Sequence, residues 1–194
     1  ELFYWDYVIG VFLLSLIFAF TLRSMGESGR GFIEDLGQAT WSNIGSAFLG
    51  GVIFNAANIL LSTAIAIVGM SVAFPVGIGL ALVLGVIINY VGSQKGDPLF
   101  LFLGVGLVAI AIIMNAIAYK KASSIKQKVS TKGILVSILA GVLMSFFYRF
   151  VARSMDLENF VNPAEGMMTP YTAVVIFSLG ILISNFLFNT ILMK

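Results

Sequence analysis

Neither cysteine nor histidine occurs anywhere in the 194 residues. Their absence excludes disulfides, thiol chemistry and the usual ligand sets for zinc, haem and iron–sulfur clusters. Charge is scarce as well. Asp, Glu, Lys and Arg together make up 10% of the chain, against about a quarter in an ordinary soluble domain. No Walker A phosphate loop occurs, which excludes an ATP-driven motor within these residues. Gly77 and Gly79 lack the third glycine and the preceding strand of a dinucleotide fingerprint. No basic patch interleaved with aromatics is present, so nucleic acid is not an expected partner. The acids lie almost all between apolar runs, and no nucleophile–base set is visible. The expectation is therefore a protein that is not an enzyme and needs no cofactor.

What is present is apolar. Hydrophobic residues make up 59% of the chain, and the mean hydropathy is +1.03. A soluble fold of this length could not bury that much apolar surface, whereas lipid can solvate it. A bilayer core about 30 Å thick needs roughly 20 apolar residues per helix. Six segments qualify: 2–22, 43–68, 71–91, 98–119, 133–151 and 170–193. They lack strict alternation, so an all-α transmembrane bundle is expected and not a β-barrel. No charged residue occurs between Asp35 and Lys95. That stretch is too long for one span. The turn is placed at Gly69-Met70-Ser71, with Pro75 in the first turn of the next helix, where its missing N–H costs little.

The connections set an orientation. Lys120, Lys121, Lys126, Lys128 and Lys132 crowd one connector that holds no acid. A lysine excess in a short loop marks the cytoplasmic side. Six spans then put both chain ends on that side with the basic loop 120–132, as in a bacterial inner-membrane protein. The other connections carry mixed charge, including Asp97, Asp156, Glu158 and Glu165. Between the first two spans, Phe32, Ile33 and Leu36 sit beside Glu34 and Asp35. This reads either as a short interfacial helix or as a solvated loop. The chain opens at Glu1 without a signal-peptide pattern. Both ends read as cut, so a piece of a longer protein is expected.

Polar side chains inside the spans are few and fall in stripes. Gly51, Asn55, Asn58 and Ser62 share one helical face, as do Ser178, Asn185 and Asn189. Gly104, Ala111 and Asn115 form a third stripe, and Ser137, Gly141, Ser145 and Tyr148 a fourth. Two readings stand for each asparagine. Small residues and amides pack helices together in lipid. Amides also offer donors and acceptors to an uncharged polar solute. Asn55 with Asn58 is the preferred substrate-binding pair, with Asn115 and Asn185 behind it. Asp6 is either part of an interfacial belt with Trp5 and Tyr7 or a coupling carboxylate. Arg149 is an interfacial charge or a gate for an anionic solute at the outer mouth. No ionisable group falls near mid-bilayer in the second, third, fourth or sixth segment.

The aromatic entry and glycine-containing run at Tyr171 weakly echo those at Tyr7. Spans one and six of this chain would then occupy equivalent places in two inverted repeats, a transporter signature. The runs ELFYWDYVIG from Glu1, GGVIFNAANIL from Gly50, VAFPVGIGLA from Val72, FFYRFVA from Phe146 and PYTAVVIF from Pro170 resemble permeases of the drug/metabolite transporter superfamily. The resemblance is to its glucose/ribose-porter and ureide-permease-like branch. It implies ten helices in two inverted five-helix repeats, of which this chain would hold the second to the seventh. Residues 1–121 would then be most of the first repeat, 122–132 a cytoplasmic linker and 133–194 the start of the second repeat. It also implies a secondary carrier or facilitator for a small polar organic solute, such as a sugar or other metabolite, working by alternating access in the lipid bilayer. A multidrug exporter of the same superfamily and a non-transporting membrane scaffold are the alternatives. A homodimer is left open.

Overall fold

A computed structural model of the protein describes residues 2–23, 29–93, 96–122 and 130–192. Its described residues form α1 (Leu2–Phe18), α2 (Phe32–Gln38), α3 (Trp41–Val68), α4 (Met70–Ala73), α5 (Gly79–Ser93), α6 (Pro98–Ala122), α7 (Thr131–Arg153) and α8 (Pro170–Leu192). Two wider π turns, Ala19–Arg23 and Phe74–Ile78, extend α1 and join α4 to α5. Among the described residues, six helical stretches are long and apolar enough to cross a membrane: Phe3–Leu22, Trp41–Val68, Met70–Gly92, Pro98–Ala118, Thr131–Arg153 and Pro170–Thr190. Large apolar side chains such as Phe3, Ile17, Leu99, Phe100, Leu107 and Met114 stand exposed on them. Water would not tolerate so large an apolar surface, but lipid does. This is an all-α polytopic membrane protein. Residues 123–129 of the lysine connector and the terminal Lys194 lie outside the described residues.

The turn expected at 69–71 is made by Gly69 alone. Its φ of 77° lies in the left-handed region that glycine tolerates. Its carbonyl accepts from Ala73 N at 3.0 Å, which starts the next helix at once. Pro75 accordingly lies beyond the first turn of that span, not within it. The chain answers its missing N–H and its ring by widening into the π turn Phe74–Ile78. Between α1 and α3, residues 32–38 are helical, and the solvated-loop alternative falls. Phe32 is buried, and its ring lies 5.0 Å from that of Phe20.

The chain packs as two compact units. One comprises residues 1–55 and 147–194. Here α8 lies along α1, and Trp5 meets Phe186 edge-on at 4.6 Å. Near the middle of α8, a Cβ on Gly51 would overlap the carbonyl of Phe177, and one on Gly180 would overlap the carbonyl of Phe48. Two glycines thus let the backbones of α3 and α8 touch, as small residues do between membrane helices. Ala47, Val151, Met168, Ala173 and Ile176 form the core beside this crossing. The rings of Phe54, Phe147 and Phe177 cluster with centroids 4.9–5.8 Å apart.

The other unit comprises residues 56–146. Its core is Leu61, Ala64 and Val68 of α3 with Ala73 of α4 and Ala140 of α7. Leu82, Val83 and Val86 of α5 and Leu101, Val105 and Val108 of α6 line a cavity of about 190 Å³. Its lining is aliphatic apart from Gly104 and offers a polar solute nothing to bond.

Candidate functional site

The polar side chains of the first unit collect at two levels. The first level lies between spans. Asp35 in α2 is fully buried, which is rare for a carboxylate unless it is paired. Arg30 Nε donates to its Oδ1 at 3.1 Å. Thr169 gives its Oδ2 two bonds, from the backbone N at 2.8 Å and from Oγ1 at 2.9 Å. Arg30 and Gln38 also donate to the Met167 carbonyl at 3.0 and 2.8 Å. Gln38 Oε1 accepts from Gly166 N at 2.6 Å. This knot ties α2 to the segment entering α8. Asp35 sits one turn into α2, where a negative charge also suits the helix dipole.

The second level lies within the spans. The close crossing at Gly51 and Gly180 brings the next turn of α8 to Asn55. Asn55 Nδ2 donates to Ser184 Oγ at 2.8 Å and to the Ile181 carbonyl at 3.3 Å. Tyr4 on α1 donates its hydroxyl to Asn55 Oδ1 at 2.7 Å. Asn55 thus spends both amide hydrogens and one acceptor site in joining three helices. Further along the α1–α8 seam, Ser15 Oγ and Ser178 Oγ lie 2.8 Å apart. Asn185 follows Ser184 and is fully buried, yet neither its Nδ2 nor its Oδ1 has a partner among the described residues. Asn189 Nδ2, one turn on, is buried and likewise without a partner among them.

The remaining sequence candidates are placed differently. Asn58 is half-buried in the residues of α3 that belong to the second unit. Asn115 is exposed on α6. Asp6 is exposed on α1, and Arg149 is exposed on α7. Among the candidates, Asn55 and Asn185 are the ones buried within the first unit. Sequence reasoning missed Tyr4 and Ser184 as partners of Asn55. Ser184 adjoins Asn185 but points about 100° round the helix from it, outside the polar stripe, so spacing did not single it out. Nothing local pointed to Tyr4, whose bond spans 51 residues. The Asp35 knot was missed because its six residues come from two distant connections, Arg30, Asp35 and Gln38 from one and Gly166, Met167 and Thr169 from the other. Among the described residues, no three acids gather closely enough to hold a metal ion.

Residues 3–132 match the family model described as ureide permease. The chain belongs to the ureide permease family. It is 29% identical over 171 residues to a probable ureide permease A3 of Vigna unguiculata, covering 84% of this chain and 44% of that protein. Ureide permease 3 of Arabidopsis thaliana is 25% identical over 214 residues, covering 95% of this chain and 62% of that protein. Ureide permease 1 of the same plant is 30% identical over 118 residues, covering 60% of this chain and 30% of that protein. The chain thus spans between about a third and three-fifths of the curated relatives it matches. No solved structure matches it. The family so matched is one of permeases, not of enzymes.

Proposed function

We propose that this ureide permease homologue takes part in moving a small, uncharged, amide-bearing solute of the ureide class across a bilayer by alternating access. The observation that carries the reading is the family match over residues 3–132, which contains the partly buried Tyr4–Asn55 bond. Ureides carry neighbouring C=O and N–H groups. Side-chain amides complement both from one residue type, with no net charge to desolvate. Asn185 is the proposed solute-binding amide, and Asn55, already bonded to Tyr4, Ser184 and the Ile181 carbonyl, is proposed to position it. Asp6 and Arg149 are proposed to act in coupling or gating from exposed ends of their helices. A ureide is favoured over a sugar because of what the relatives are named for. The exporter alternative calls for an aromatic cavity, and the α5–α6 cavity has no aromatic lining.

The wider superfamily, the ten-helix inverted repeat and a bacterial inner-membrane location with the lysine connector cytoplasmic belong to the same proposal. They are supported by the echo between the entries of α1 and α8 and by the lysine excess. The test is uptake of a radiolabelled ureide into vesicles holding the full-length gene product. Asn185→Ala should cut uptake about tenfold or more at equal expression, the loss expected when a solute amide loses its partner. Unchanged uptake would make Asn185 a packing element only.

A further inference from the structure

We propose that Asn185 and Asn189 form the face that reads the solute's amide edge, and that Asn55 is a clamp holding α8 in place for them. This rests on the transport reading above for the nature of the solute. The argument begins with hydrogen-bond accounting. Asn55 has both amide hydrogens and one acceptor site engaged by Ser184, the Ile181 carbonyl and Tyr4. A solute could bond its amide hydrogens only by displacing partners already at good distance. Asn185 differs in that it is fully buried with both amide atoms unbonded. Buried polar groups are almost always paired, and hydrocarbon offers no water to substitute. An amide left bare there costs free energy that leucine in the same place would not. Asn189 adds a second bare donor on the same side chain face, one helical turn further on.

The free groups are therefore two donor nitrogens and one acceptor oxygen. Side chains four apart on a helix stand roughly 5–6 Å apart at Cβ, about the width of a small planar ring. The complement is an edge with carbonyl groups to accept from the nitrogens and an N–H to donate to Asn185 Oδ1. An imide edge, C=O–N–H–C=O, has that order. A hydroxylated solute or a carboxylate lacks the flanked N–H. The pair is closed off in this conformation, so the solute gains access only when the helices move, as alternating access requires.

The test uses purified full-length gene product in detergent and two probes. One is hydantoin, a cyclic ureide with an imide edge. The other is hydantoin methylated on its imide nitrogen. Thermal unfolding is followed with increasing probe. Wild type should be stabilised by hydantoin, with at least about tenfold weaker apparent affinity for the methylated form, because methylation leaves Asn185 Oδ1 unpaired. Asn185→Leu should unfold no earlier than wild type without probe, having no bond to lose, and should lose the response to hydantoin. Asn189→Leu should weaken the response to both probes. The proposal is overturned if Asn185→Leu is itself less stable, since the amide then has a structural partner such as a resident water. It is equally overturned if wild type does not respond, or if the variant keeps the discrimination. Hydantoin uptake into vesicles is measured alongside. Absent uptake with the expected unfolding pattern would sink the transport reading and leave the binding site standing.

Discussion

Replacing Asp35 by alanine removes the acceptor at the centre of the knot between α2 and the start of α8. Three bonds of 3.1 Å or less reach that carboxylate, from Arg30 Nε, Thr169 N and Thr169 Oγ1. Hydrogen bonds to a charged group contribute about 1.5–3 kcal/mol each, but bonds sharing one acceptor do not add. Removing one member of a buried ion pair costs about 3–5 kcal/mol. The Arg30 side chain is 21% exposed and keeps its bond to the Met167 carbonyl, so the stranded cation is partly relieved. The fully buried Thr169 keeps Thr172 Oγ1 within 3.1 Å of its hydroxyl, but its backbone N–H is stranded. The expected loss is therefore near the low end, about 3 kcal/mol. Asp35→Asn keeps the volume but must point an NH₂ group at one of the donors, which costs about 1–2 kcal/mol. The assay is unfolding of the full-length protein in mixed micelles by increasing SDS, followed by loss of helicity. A cycle with Arg30→Ala should give a coupling of about 1–3 kcal/mol. A loss below about 1 kcal/mol for Asp35→Ala would refute the argument. The carboxylate would then be no better paired than a surface ion.

Two further predictions concern packing and orientation. Gly51→Leu should abolish a monodisperse peak in size-exclusion chromatography, since a Cβ there overlaps the Phe177 carbonyl and overpacking costs about 1–3 kcal/mol or more; Gly10→Leu, where a Cβ meets nothing within 4 Å, should leave the peak intact. None of these 194 residues is cysteine, so once any cysteine elsewhere in the full-length product is replaced by serine, Ser124→Cys gives a single label site in the lysine connector. A membrane-impermeant maleimide should label it only after the cells are opened, and labelling of intact cells would reverse the orientation.

The membrane class, the number of spans and most span ends were legible in composition and run length. Lipid imposes one rule on every span, and the rule is local: enough apolar residues to cross, with backbone bonds closed within the helix. Gly69 was legible for the same reason, because a charge-free stretch twice the width of a bilayer must turn, and glycine turns most readily. The polar stripe of α8 could be read from spacing alone. Tertiary structure alone decided which polar groups are spent and which are bare. Asn55 and Asn185 are the same residue type on two facing stripes, and nothing in the order of residues separates them. The backbone contact at Gly51 and Gly180 brings Ser184 within reach of Asn55, while Tyr4 reaches it from α1. Those bonds join residues 51 to 129 positions apart, a distance over which local pattern carries no information. The same holds for Asp35, which in sequence is one more acid in a connecting segment. Its burial depends on Thr169, 134 residues away, arriving with two donors.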